Sequence, residues 1–386
     1  MFRNKHVFIC DIILIVGGTM KSVYIHIPFC KTICSYCDFC KVFYNEKIVD
    51  KYLERLKEEI VSNYKGEVIK TLYIGGGTPS CLSIIELEKL FNIVKLFNID
   101  EVFEFTIECN IETLDLEKIE LFKKNNVNRV SIGVQSIIDK NIKFLDRHHT
   151  KEMVVDRVRW LQEVGIDNIN LDLIYALPNQ SLKDLNIDLD FYLSLGIKHI
   201  STYSLMIEPN TKLGIKNTSY IDEKLDRDMY DYINKKLGNN GFIHYEISNY
   251  CIPGYESKHN LTYWNNDEYY GFGVGASGYI DDVRYDNTKS LTNYLNGKTR
   301  FEENIVDYNI KIENEFILGL RKVTGISKKE FKTKYNKEIC DIIVVKKLVE
   351  NGKLIDNGEY VYILKDLLYV SNFILVEFLG VDYGES

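Results

Sequence analysis

From Met20 to about Glu208, short β-branched runs alternate with amphipathic ones, and this alternation restricts the fold more than any other feature of the chain. The strand-like runs are SVYIHI (22–27), IKTLYIGG (69–76), FEFTIEC (103–109), RVSIGVQS (129–136), NINLDLIYAL (168–177) and HISTYSLMIE (199–208). Helical stretches at 46–64, 83–97, 113–125, 150–164 and 181–195 lie between them. Parallel strands need long crossovers, and strand–helix–strand at roughly 30-residue spacing is what repeated βαβ units produce. Six such units suit a partial (β/α)6 barrel better than the eight of a closed one, so the expected class is α/β with active residues at the carboxyl ends of the strands.

The first strand runs into a loop carrying Cys30, Cys34, Cys37 and Cys40. The C-x3-C-x2-C array of the first three is too tight for paired-CxxC zinc ribbons and close to the thiolate spacing of iron-sulfur clusters, with zinc or buried thiols the alternative. Three thiolates leave one iron of a 4Fe-4S cluster open to a small molecule. Cys40 is expected to be a spare thiol beside the cluster, and His26 and Phe29 to be packing positions, with His26 making a polar contact. The second strand ends in GGGTPS, Gly75 to Ser80, where glycine lets backbone approach a ligand and Pro79 can open a helix; a tight turn is the plainer reading.

Together the cysteine array and the glycine segment one βα unit later resemble the radical S-adenosylmethionine (SAM) superfamily, in which SAM chelates the open iron. The resemblance implies a 4Fe-4S cluster on Cys30, Cys34 and Cys37, and SAM contacts from Gly76, Gly77 and Thr78. Later strand ends carry Glu108, Gln135 and Asp172, and Arg147 is placed on the helix after Gln135. With Tyr24 and Tyr36 around the cysteines, these match in order and spacing the positions that contact SAM in the oxygen-independent coproporphyrinogen oxidase-like group. A carboxylate such as Glu108 can take ribose hydroxyls, and Arg147 can pair with a carboxylate. His148 and His149 are expected on the surface, with haem ligation the alternative.

Beyond Glu208, residues 222–238 read as a helix and FIHYEISNY (242–250) as a strand. HNLTYW, residues 259–264, resembles the H-N-x-x-Y-W signature of the HemW-type haem-chaperone branch. That resemblance implies haem as cargo, with His259 presenting an imidazole to iron and Tyr263 and Trp264 offering ring faces; a structural role for this histidine and its aromatics is the alternative. GFGVGASGY (271–279) reads as a glycine-rich nest for an anionic group, or as turns. A domain boundary is placed near 295, giving a barrel domain over 20–295. Residues 296–386, with helical runs and paired strands around Asn357-Gly358, resemble the small α+β winged-helix-like carboxyl-terminal domain of the family.

Arg3 and Lys5 precede a short apolar run in residues 1–19, too short to span a bilayer. Met20 directly before KSVYIHIPFC is the expected start, which makes 1–19 a non-native extension. Formal net charge is −8, which lacks the basic face of general nucleic-acid binders, and the 9 cysteines, four in one loop, suit metal ligation in a reducing compartment. A cytoplasmic protein without a transmembrane segment is expected, reaching the membrane only through partners.

Two functions follow from the resemblance. One is a haem chaperone that holds a 4Fe-4S cluster, SAM and haem, and passes haem to haemoproteins such as membrane respiratory oxidases, without coproporphyrinogen dehydrogenase activity. The other is the oxygen-independent coproporphyrinogen III dehydrogenase, in which the cofactor carries the chemistry and the protein orients it. HNLTYW, and a C-x2-C step to Cys40 where dehydrogenases carry C-x-C, favour the chaperone. A radical SAM methyltransferase or cyclopropanating relative is a third reading.

Overall fold

The computed structural model describes residues 20–384; the proposed non-native extension lies outside them. Its main feature is a 12-stranded sheet. The strands are β1 (Lys21–Ile27), β2 (Val68–Gly76), β3 (Asn98–Asn110), β4 (Arg129–Gln135), β5 (Asn168–Tyr175) and β6 (His199–Ser204). They continue with β7 (Ile243–Glu246), β8 (Asn249–Cys251), β9 (Tyr269–Phe272), β10 (Ser277–Ile280), β11 (Val283–Asn287) and β12 (Arg300–Ile305). The order across the sheet is β12-β11-β10-β9-β1-β2-β3-β4-β5-β6-β8-β7. Strands β1 to β6 pair in parallel as the βαβ spacing requires, and β9 adds a further parallel strand against the free edge of β1. The expected single strand over 242–250 is instead the hairpin β7–β8, antiparallel to β6.

Crossover helices other than α4 start where capping side chains stop the strand-to-helix turns. They are α1 (Glu46–Asn63, capped by Asn45), α2 (Ile84–Val94), α3 (Leu116–Lys124, capped by Asp115), α4 (Asp139–Phe144), α5 (Lys151–Glu163, capped by Thr150) and α6 (Leu182–Ser194). Ser83 with Glu86 and Ser181 with Asp184 form reciprocal capping boxes, each satisfying two N–H groups that a helix start leaves open. One face of the barrel strands is mostly apolar and joins the helices in a single core, for example Val23, Ile25 and Ile27 of β1 with Leu72 and Ile74 of β2. The alternate positions point into the barrel and are polar or aromatic, among them Tyr24, Tyr73, Glu108, Ser131, Asp172 and His199, so the interior is built for a polar ligand rather than for packing alone.

The glycine segment 271–279 forms the β9–β10 turn, and its anion is the protein's own. The Gly273 N–H donates to the carboxylate of Glu59 on α1 (2.9 Å), which also accepts from Asn287 (2.8 Å) and Tyr294 (2.6 Å). A Cβ at Gly271 would lie 1.8 Å from the Ser277 carbonyl oxygen, so close strand approach explains that glycine, and the expected anion nest is a buried structural contact.

After α7 (Glu223–Gly238), HNLTYW lies within α8, Lys258–Trp264. The domain boundary falls later than 295, because Arg300–Ile305 is still the edge strand of the large sheet. A second core begins with α9 (Tyr308–Gly319), whose Ile312 and Phe316 pack with Phe331, Leu348, Val361 and Phe378. Three helices of eight or more residues, a short fourth one over Asn372–Leu375 and a 3-stranded antiparallel sheet give this unit its winged-helix-like form.

Candidate functional site

The cysteine loop is closed at its base. Phe29–Cys30 pairs with Val42–Phe43, with Val42 N–H donating to the Pro28 carbonyl (2.8 Å) and Tyr44 N–H to that of Cys30 (2.9 Å). Its far side is held when the Leu213 N–H donates to the Ser35 carbonyl (3.1 Å) and the Ser35 hydroxyl to that of Phe144 (3.0 Å). Cys30 is buried, whereas Cys34 and Cys37 are half-buried. Burial pushes the Cys30 thiol up to about 11, so a metal must displace its proton, which couples loading to pH.

These three cysteines share one cleft of about 470 Å³ with Tyr36, Gly76, Gly77, Thr78, Glu108, Gln135, Arg147 and Asp172. Eleven of the fifteen residues expected at cofactor sites therefore converge at the carboxyl end of the parallel strands. Thr78 Oγ1 lies 3.5 Å from Cys30 Sγ, and Arg147 Nη1 lies 3.8 Å from Cys34 Sγ. Asn110 joins these contacts, donating to Thr78 (3.0 Å) and accepting from Arg147 (3.0 Å). Glu108 accepts from the Gly76 N–H (3.0 Å) and the Tyr73 hydroxyl (2.7 Å). Burial raises its carboxyl to about 7 and that of Asp172 to about 6, with the charge of Asp172 adding to the rise at Glu108. Gln135 takes a left-handed φ of 73°, and its buried Oε1 has no protein partner. A strained backbone and an unpartnered acceptor in a cleft fit a bound ligand, so the donor set suits both a thiolate-held cluster and a polar cofactor beside it.

Several expected placements change. Arg147 follows α4 in a loop and is already paired, its Nε and Nη2 meeting Glu112 at 3.1 and 2.9 Å, so the carboxylate it binds here is internal. Despite desolvation, the neighbouring His149 ring (Nδ1 3.6 Å from Oε1) and the charge of Arg147 hold Glu112 down to about 2. His148 is exposed as expected, but His149 is buried with Nε2 3.0 Å from the Ser136 carbonyl. Cys40 lies outside the cleft, with Sγ 3.6 Å from the Lys289 carbonyl. His26 donates from Nε2 to the Cys40 carbonyl (2.7 Å), leaving Nδ1 to accept from the Tyr24 hydroxyl (3.0 Å). Tyr24 consequently faces His26 and Tyr73 and does not line the cleft.

The HNLTYW residues lie elsewhere too. Helix α8 lies across the barrel interior below the cleft, its first N–H groups, from Lys258 and His259, donating to the Glu104 carboxylate at 3.0 Å each. His259 is 1% exposed, with Nδ1 2.8 Å from Thr71 Oγ1 and Nε2 2.8 Å from the Tyr263 hydroxyl. Burial lowers its pKa to about 3, so the ring is neutral with both nitrogens engaged. In this conformation it offers iron no lone pair. Trp264 is at the opposite end of the helix, where Lys322 and Lys334 of the second unit reach Asn265 (2.6 Å each). Sequence reasoning missed Asn110, Glu112, Ser131, Tyr203 and Met206; Asn110, next to Cys109 at the end of a strand whose Glu108 was recognised, carried a readable signal, whereas Glu112 did not.

Comparison with known proteins agrees with this architecture. Residues 24–192 match the radical SAM superfamily. The chain is 38% identical over 377 residues to the haem chaperone HemW of Bacillus subtilis, covering 94% of this chain and all of that one. It is 42% identical over 323 residues to HemW of Lactococcus lactis (82% and 85% covered), and 36% over 264 residues to HemW of Escherichia coli (67% and 70%). Among solved structures, coproporphyrinogen III oxidase (HemN) of E. coli, a radical SAM enzyme, superposes with a TM-score of 0.82 at 20% identity over 94% of this chain and 90% of that one, a likeness of fold. Cysteine loop, parallel sheet and full-length identity agree, and the chain belongs to the HemW family of haem chaperones within the radical SAM superfamily.

Proposed function

We propose that this protein is a haem chaperone that carries a 4Fe-4S cluster on Cys30, Cys34 and Cys37, binds SAM along the glycine ridge, and takes up haem for delivery to haemoproteins, membrane respiratory enzymes among them. The observation that carries the reading is the convergence of the three cysteines with Gly76, Gly77, Glu108 and Asp172 in one cleft of a chain that matches HemW of B. subtilis over its full length. The cluster, when bound, supplies an iron with an open position for SAM. The protein's own part is to hold and orient. Glu108 and Asp172 present carboxylates to hydroxyl donors, the unpartnered Oε1 of Gln135 offers another acceptor, and Arg147, fixed by Glu112, places positive charge beside Cys34. Delivery at a membrane would go through partners, since among the described residues no helix is long and apolar enough to cross one.

Coproporphyrinogen III dehydrogenase is the second reading, favoured by the likeness to HemN in fold. The test is anaerobic cluster reconstitution followed by separate assays of haem uptake and transfer and of coproporphyrinogen conversion with SAM and reductant. Haem uptake and transfer without conversion is expected. Protoporphyrinogen formed over many turnovers would overturn the chaperone reading.

A further inference from the structure

We infer that haem sits at the mouth of the cysteine cleft, against Phe39 and Met206, and not at His259. This inference rests on the haem-chaperone reading and adds the seat of the cargo to it. His259 is enclosed and doubly hydrogen-bonded, so the seat must be elsewhere. The cleft opens between two segments, the cysteine loop and the stretch after β6. Phe39 of the first is 71% exposed and Met206 of the second 68%, yet both line the same cleft together with the ring of Tyr203. The two segments are fastened together by the Leu213-to-Ser35 hydrogen bond, and they also expose Phe43, Ile215 and Tyr220. Exposed Phe39 and Met206 facing one cleft mark a binding surface, whereas scattered side chains of this kind need no explanation.

The chemistry of that surface fits a flat tetrapyrrole with carboxylates on one edge. Aromatic and thioether groups suit an apolar, polarisable ring face. Lys41 lines the cleft, and its ammonium donates to the Cys37 and Phe39 carbonyls (2.5 and 3.2 Å), leaving a third N–H for a carboxylate. Asp38 and Glu208 share the walls, so charge alone does not recruit an anion there and apolar contact carries the affinity. A haem so placed lies over the cluster loop, on the solvent side of the SAM cleft, where a recipient can reach it.

The experiment titrates the full-length, cluster-reconstituted protein with ferric haem and follows the Soret band. Phe39→Asp and Met206→Asp are each expected to weaken binding at least fivefold, and the double variant at least tenfold. Met206 belongs to a different segment from the cysteines, so its variant decides the matter if Phe39→Asp disturbs the cluster. Phe301→Asp, at a 75% exposed phenylalanine on edge strand β12, is the control and should change affinity less than twofold. Unchanged binding by the double variant, or an equal loss in the control, overturns the site while the chaperone reading stands. Failure of the unsubstituted protein to take up haem overturns that reading and the site with it.

Discussion

Replacing His259 by alanine separates a ligand from a structural histidine. The substitution removes both hydrogen bonds of a ring lying in the barrel interior, leaving the Thr71 hydroxyl buried without its partner and the Tyr263 hydroxyl half-buried. An unsatisfied buried polar group costs roughly 1–3 kcal/mol, so losing both partners costs about 2–6 kcal/mol before any cavity term. The cavity adds to this, since the Tyr73 ring centroid lies 5.0 Å from that of His259. That loss is a large share of a typical 5–15 kcal/mol of total stability. His259→Gln, which offers a donor and an acceptor at similar reach, should recover part of it. The assay pairs denaturant midpoints with haem titration at a temperature where all variants are folded. A lowered midpoint with haem affinity within about twofold of the unsubstituted protein is expected. A native midpoint with haem binding lost tenfold or more would refute the reasoning and return His259 to the iron.

Three further outcomes are expected. Alanine at Cys30, Cys34 or Cys37 should abolish iron and sulfide incorporation, whereas Cys40→Ala should retain both, as metal analysis and electron paramagnetic resonance of the reduced protein can check. Gly77→Val should weaken SAM binding at least tenfold in calorimetry and destabilise the fold by about 1–3 kcal/mol, because a Cβ there would lie 2.7 Å from the Pro28 carbonyl, at the root of the cysteine loop. SAM affinity should rise between pH 6 and 8: Glu108 keeps its proton up to about 7 in the folded protein against the ordinary glutamate value of 4.5, so stability from this group is full below 4.5 and fades as pH rises through 7, while a ligand needing the carboxylate gains over the same range. Glu108→Gln should flatten that profile, and a slope unchanged in the variant would assign the titration to another group.

Most of the barrel was legible because its signals are local. Ser83 with Glu86 and Ser181 with Asp184 mark helix starts within four residues, and alternation within β1 to β6 separates the aliphatic face from the polar one. The cleft was legible through spacing and strand ends, which is why three cysteines, the glycine ridge and Glu108, each expected from its place in the chain, line one cavity. What failed depends on distant partners. Nothing near Arg147 announces that Glu112 will claim it, and nothing in HNLTYW distinguishes an imidazole held by Thr71 from one offered to a metal. The boundary near 295 was early because β12 earns its place only by pairing with β11, and the anion nest was misread because its anion, Glu59, comes from α1.

Strand β1 precedes every other strand of the large sheet in the chain and waits longest for its second neighbour. One edge meets β2 soon after, but the other waits for β9, and the ion pair that locks this junction joins Lys21 to Glu268, 247 residues away. At roughly 5–20 residues per second, a ribosome takes on the order of 12–50 s to cover that distance. Throughout that interval the strand leading into the cysteine loop has an open edge, and α8, the floor of the barrel, has not been made. On the proposed reading, the cysteine loop is expected to accept a cluster only after β9 has paired with β1. A transcript cut short before β9 yields a product whose thiols are present but unsheltered, a substrate for oxidation and proteolysis rather than for iron.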